Sequence, residues 1–180
     1  MAFWFTADTH FSHWNIVKYC TRPFSSIEEH DETLISNWNY CIKGNDTVYH
    51  LGDFAFRNPI SLEKITKRLN GKIILLRGNH DKRIKGDLTS LFSEVKDVHL
   101  FTGQLHKEKV TLYLSHYAHR SWPSSFHGVG HLYGHSHGRL PPHGLSFDVG
   151  VDCWNFYPVS LEQVVSKLQS MKKSGITNQD

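Results

Sequence analysis

Lys72-Ile73-Ile74-Leu75-Leu76-Arg77-Gly78-Asn79-His80-Asp81 sets four consecutive apolar residues directly against a polar cluster. A run this short, bounded by glycine, reads as a strand buried on both faces that ends in a loop carrying chemistry. The same design occurs twice more, with Ala2 to Ala7 running into Asp8-Thr9-His10 and Thr47 to Leu51 into Gly52-Asp53. Binding and catalytic groups gather at such strand ends because the scaffold is rigid there and the loop is free to reach a ligand.

Between the first two strands the spacing of Ile27, Leu34, Ile35, Trp38 and Ile42 predicts a helix over 27–42, with Ser25 and Glu28 as a capping box. Ser61 is placed to cap a second helix that runs through Leu69 and stops before Gly71. From Val95 onward strands dominate: Val95 to Phe101, a turn at Gly103-Gln104, Val110 to Ser115, His131 to Gly134 and Leu145 to Val151. A last helix spans Leu161 to Met171, capped by Ser160 and Gln163. βα units followed by a more antiparallel half predict a mixed α/β or α+β chain of two packed β-sheets flanked by helices. No repeat, low-complexity stretch or linker interrupts the chain, so one domain over residues 1–173 is expected, with a fraying polar tail over 174–180.

Composition narrows the class. With 180 residues, 39% hydrophobic and 21% charged, the chain is globular and able to bury a sizeable core. A net charge of +3, with basic pairs scattered along the chain, neither demands nor excludes a nucleic-acid partner. Cys20, Cys41 and Cys153 are far apart and odd in number, which fits a reduced compartment and buried, apolar thiols. The apolar start Ala2-Phe3-Trp4-Phe5 is stopped by Asp8, too soon for a secretory signal, and no run reaches the length of a membrane span. A soluble cytoplasmic protein is expected.

The polar clusters are complementary. Asp8 and His10 are two apart on extended backbone, so their side chains point to one side and can grip one ion. Asp53 follows a glycine, and its two oxygens can bridge two ions. Asn79 offers an amide oxygen, His80 stands ready to act on substrate, and Asp81 is available to orient the His80 ring. His116 ends a strand, while His135 and His137 lie between Gly134 and Gly138, which admit close backbone approach. Asp8, His10, Asp53, Asn79, His116, His135 and His137 thus form a nitrogen and oxygen donor set suited to two divalent cations. The chemistry this implies is metal-assisted hydrolysis at phosphorus. The remaining histidines, apart from His13 and His119 near the motifs, are expected at the surface or in structural hydrogen bonds.

Taken in order, Asp8-x-His10, Gly52-Asp53, Gly78-Asn79-His80-Asp81, His116 and Gly134-His135-x-His137 resemble the calcineurin-like metallophosphoesterase family. Thr9-His10-Phe11-Ser12-His13, Arg22-Pro23-Phe24, His116-Tyr117 and Asp148-Val149-Gly150-Val151-Asp152 look like its small single-domain bacterial and phage members. The resemblance implies a four-layer fold with both metals at the strand ends. It further implies that Asp8, His10 and His137 hold one ion, that Asn79, His116 and His135 hold the other, and that Asp53 bridges them. His80 matches the family's catalytic histidine and Asp81 its acidic partner. A metal-bridging hydroxide would attack the phosphoester directly while His80 assists the leaving group, with Mn as the expected metal and Fe, Ni or Zn as alternatives.

Substrate identity is less determined. The chain has little room for a specificity cap, which favours an open cleft and phosphodiesters of nucleotide type. Tyr117, His119, Arg120 and Trp122 are expected to stack a base and hold a second phosphate, with His13 and Arg22 as further lining residues. A phosphomonoesterase, such as a nucleotidase or phosphoprotein phosphatase, and a non-catalytic metal-bearing scaffold that binds protein partners are the competing readings. A metallo-β-lactamase-type site is excluded, because His135-x-His137 continues as Gly138-Arg139 rather than x-Asp-His.

Overall fold

The computed structural model describes residues 1–56 and 59–177, with the backbone alone for 59–61. The first sheet holds β1 (Phe3–Thr6), β2 (Thr47–His50), β3 (Lys72–Leu76), β4 (Glu94–Lys96) and β9 (Val159–Ser160), in the order β4-β3-β2-β1-β9. Its first four strands are parallel and β9 is antiparallel to β1. The second sheet is β5 (Val98–Leu105), β6 (Glu108–Ser115), β7 (Gly130–Tyr133) and β8 (Ser146–Asp148), in sequence order. Only β5 and β6 are antiparallel here, and β6, β7 and β8 run parallel, so the second half is less antiparallel than its scarcity of helices suggested. The architecture is the expected one, two mixed sheets with helices α1 (Trp14–Tyr19), α2 (Ile27–Cys41), α3 (Pro59–Thr66) and α4 (Leu161–Lys173) around them.

Two cores explain the apolar strands. Phe5, Tyr49, Leu51, Ile74 and Leu76 face Leu112, Leu114, Leu132 and Phe147 of the second sheet, and α4 adds Leu161, Val164 and Leu168 to the same cluster. The alternate residues Val48, Ile73 and Leu75 meet Leu34, Ile35 and Trp38 of α2, Ile42 just past its end, and Leu62 and Ile65 of α3. A sheet covered on both sides needs apolar residues at every position, which is why the strands read as runs rather than alternations.

Several boundaries differ from expectation for local physical reasons. The cap of α2 is Ser26, whose side chain accepts from the Glu29 backbone N–H, while the Glu29 carboxylate reaches back to Ser25. The box is therefore shifted by one residue from Ser25 and Glu28. α3 already begins at Pro59 and ends at Thr66, and the side chain of Ser61 lies outside the described residues, as do residues 178–180 of the predicted tail. The segment expected as one strand from Val95 to Phe101 is divided at Asp97, and its halves join different sheets. The hairpin turn is at His106-Lys107, both at positive φ, rather than at Gly103-Gln104. Gly103 lies within β5, paired with Val110, and the Phe101 ring lies over it, 2.5 Å from where a Cβ would stand. The six-residue α1 was too short for its periodicity to register. The three cysteines are unpaired as expected, yet none is fully buried, and Cys153 is exposed. Among the described residues, no helix is long and apolar enough to cross a membrane.

Histidines outside the motifs divide between surface and interior. His30, His50 and His131 are completely buried. Burial pushes the His50 imidazole down to about 3 and that of His131 to about 4. In the unfolded chain both take up protons near pH 6.5, whereas the folded protein refuses them until far lower pH. Stability should therefore fall as pH drops from about 7 toward 4, read as a decreasing urea midpoint. His131→Gln should flatten that decline; an unaltered slope would remove His131 from the effect.

Candidate metal centre

The parallel strands of both sheets deliver their C-terminal ends to one place. Ala7 bridges Gly150, the Val151 N–H donates to the Ala7 carbonyl at 3.0 Å, and the Asp8 N–H donates to the Gly52 carbonyl at 3.0 Å. Space is tight at this seam. A Cβ on Gly134 would stand 2.5 Å from the Ala7 Cβ and 2.8 Å from Asp8 Oδ2, so only glycine fits. Asp8, His10, Asp53, His135 and His137 all adopt positive φ, so the first pair does not reach its common target from extended backbone as expected. Sharp turns aim these side chains instead.

The side chains nevertheless converge. Ligand-capable atoms of Asp8, His10 and His137 lie within 4.8 Å of one another, as do those of Asp53, His116 and His135, and those of His10, Asp53 and His80. Asn79 Oδ1 is 3.1 Å from His116 Nε2. Asp53 Oδ2 faces three imidazole nitrogens, at 3.5 Å from His10, 3.6 Å from His116 and 3.9 Å from His80. These separations are too long for hydrogen bonds. Asp8 Oδ1 and His10 Nε2 are buried without any hydrogen-bond partner among the described residues. Orphaned buried oxygen and nitrogen atoms are costly, and a cation between them would satisfy both. The donor set fits two divalent ions of intermediate softness.

Hydrogen bonds around the cluster select the nitrogens that face it. His116 Nδ1 donates to the Leu51 carbonyl at 2.8 Å, and His137 Nδ1 to Asp152 Oδ2 at 2.7 Å, leaving each Nε2 to point inward. Burial holds the Asp8 carboxyl well above the ordinary carboxylate range, and burial, with the Arg22 charge next, drives the His10 imidazole far below its usual value. His137 goes the other way, to about 10: burial opposes its charge, but hydrogen bonds with Asp152 and Cys20 and the field of Asp8 outweigh it. The same negative field favours a metal cation at His137 Nε2.

Asp81 has a different place from the one expected of it. Its carboxylate is fully buried and accepts from the backbone N–H groups of Asp53 at 2.7 Å, Gly78 at 2.8 Å and Phe54 at 3.0 Å. It ties two loops together and does not bond the His80 ring. The His80 backbone N–H donates to Asp53 Oδ1 at 2.9 Å, and its ring is open to solvent at the mouth of the cluster.

The expected substrate residues separate into two groups. His13 stacks on Phe56 at 3.9 Å, beside the rings of His10 and His80, and Tyr117 packs edge-on against His116 and His135. His119 and Arg120 line a separate cavity. Arg22 is buried and committed, donating to both Asp152 oxygens, to the Asp8 and Thr9 carbonyls and to His30. Trp122 is also buried, its indole N–H donating to the Val129 carbonyl at 2.9 Å. Neither is free to line a cleft.

Two carboxylates went unassigned in the sequence reading. Asp148 accepts from Ser136 Oγ and the Gly138 and Gly150 backbones, which shapes the His135 to Gly138 loop. Asp152 links His137 to Arg22, and from Arg22 the chain continues through His30 to Asp31. Their spacing, at the end of β8 and four residues on, was the available signal. Asp152→Asn keeps the shape but loses the charge, so it should weaken divalent-metal binding about 10- to 100-fold, measured by calorimetric titration. Unaltered affinity would mean that the Asp152 charge does not support His137.

Comparison with known proteins places the chain. Residues 1–166 match the family model described as calcineurin-like phosphoesterase. The uncharacterized protein MJ1445 of Methanocaldococcus jannaschii is 35% identical over 175 residues, covering 92% of this chain and 90% of that protein. The Gene 66 protein of Mycobacterium phage L5 is 25% identical over 181 residues, covering 84% and 86%. The crystal structure of AQ665 from Aquifex aeolicus, a protein of unknown function, superposes with a TM-score of 0.64 at 25% identity, covering 93% of this chain and 98% of that one. With the family match spanning nearly the whole chain, the protein belongs to the calcineurin-like phosphoesterases.

Proposed function

We propose that the protein is a two-metal phosphoesterase that cleaves phosphodiesters of nucleotide type. Asp8, His10 and His137 would hold one ion and Asn79, His116 and His135 the other, with Asp53 between them. The observation that carries this reading is Asp53 Oδ2, which faces three imidazole nitrogens at 3.5–3.9 Å with no hydrogen bond to any of them. Two divalent cations at such a centre, with Mn as the working choice, supply charge neutralisation at phosphorus and activate water near neutral pH.

The residues around the centre would do the rest. His80 is the group at the mouth, fixed through its backbone N–H to Asp53, and is placed to donate a proton to the leaving oxygen. Asp81 acts as a positioning residue, since it holds the Asp53 and Gly78 loops in mutual register. Tyr117, beside His116 and His135, forms one wall that a substrate would pass. No side-chain nucleophile is needed, so hydrolysis proceeds directly, in the cytoplasm. Retention of His80 argues against a scaffold without turnover.

Three outcomes follow. Metal-stripped protein given Mn should hydrolyse bis-p-nitrophenyl phosphate faster than p-nitrophenyl phosphate, and the reverse preference would make it a monoesterase. His80→Ala should keep its metals by elemental analysis and lose about 10²- to 10⁴-fold in kcat, whereas a full kcat would remove His80 from the chemistry. Asp53→Asn should lose both metals together, and the Tm gain produced by Mn in the wild type should vanish with them. Loss of a single ion would contradict the bridge.

A further inference from the structure

A cavity of about 380 Å³ opens beside the candidate centre, lined by His119, Arg120, Tyr133, Leu140, Pro141 and His143 among others. Both of its walls continue directly from loops that carry candidate ligands. One follows His116, through Tyr117 and Ala118 to Arg120; the other follows His137, through Gly138 to His143. Two residues of chain span at most about 7 Å, so the Ala118 backbone cannot be farther than that from His116. Tyr117, the residue joining His116 to that wall, is half exposed, with its ring 4.7 Å from that of His135.

The lining has two chemistries. Leu140 and Pro141 offer exposed apolar surface, and the buried Tyr133 is part of the lining. Arg120 and His143 are exposed at the rim, where they can meet an anion, and the His119 backbone is fixed by its N–H to His131 Nε2 at 3.1 Å. A planar aromatic group joined to a negative charge fits this combination, and a cavity of this volume is at the size of ordinary small-ligand sites.

We infer that this cavity binds the nucleotide unit that flanks the scissile phosphate, which makes the substrate a dinucleotide or short oligonucleotide. The inference rests on the phosphodiesterase reading and narrows it. A cyclic mononucleotide with its phosphate at the centre has no second phosphate to meet Arg120. In a linear substrate the scissile phosphate lies at the centre, the chain passes Tyr117, the next base enters against Leu140 and Pro141, and Arg120 meets the next phosphate.

Adenosine 5′-monophosphate serves as a probe of the cavity without turnover. Titrated into metal-stripped protein and followed by NMR, it should shift resonances of residues 118–120 and 140–143, and Arg120→Ala and His143→Ala should each weaken that binding at least about fivefold. No binding, or equal binding by the variants, would overturn the inference. With Mn restored, the selectivity of Arg120→Ala for thymidylyl-thymidine monophosphate over bis-p-nitrophenyl phosphate should fall at least about tenfold, and a uniform loss on both substrates would count against it. Failure of the wild type to cleave either diester would refute the phosphodiesterase reading, and the nucleotide titration would still decide the cavity.

Discussion

The backbones of two sheets touch where Ala7 pairs with Gly150, and the candidate centre depends on that closeness. Strand ends kept apart by side chains would put Asp8, on the first sheet, out of reach of His135 and His137, on the second. Glycine at 134 removes the obstacle, and the His135 N–H then donates to Asp8 Oδ2 at 2.8 Å. At Gly52, where φ is +98°, a Cβ would strike both Gly78 N and His116 Nδ1 at 2.6 Å, so the same economy of space holds on the other side of the centre.

Such convergence has a conformational cost. Five of the seven candidate ligands, Asp8, His10, Asp53, His135 and His137, are L-residues in the left-handed region. At about 1–2 kcal/mol each, the strain rivals the net stability of a whole domain, about 5–15 kcal/mol. Buried hydrogen bonds offset it. Asp81 binds three backbone N–H groups, and Asp148 and Asp152 together secure the loop that carries His135 and His137. Two of the orphaned buried atoms among the described residues, Asp8 Oδ1 and His10 Nε2, are where this network stops and a bound cation would begin.

Most of the centre was legible in the chain because each donor follows a strand whose apolar run marks its own end. The supporting groups were harder to read. Asp81 follows His80 directly, and adjacency suggested a bond to that ring; the 3-10 turn over Asp81–Arg83 instead turns the carboxylate inward to the Asp53 loop. Arg22 and Trp122 looked like ligand-contacting residues by type. The partner of Arg22, Asp152, comes from a segment 130 residues away whose proximity no spacing reveals, while Trp122 folds back onto the Val129 carbonyl seven residues on. The split of Val95–Phe101 between sheets was equally hidden, since apolar periodicity continues unaltered through a bend.

Local patterning by itself marked β1, β2 and β3 of the first sheet, the long helices, the seven candidate donors and the family they resemble, because burial periodicity and residue chemistry are properties of short segments. Tertiary structure alone decided which nitrogen of each histidine faces the centre and which acid supports which loop. It also decided that Arg120 and His143, over twenty residues apart, share one cavity. These depend on distances between segments remote in sequence, set by how two sheets pack, and packing is a property of the whole chain.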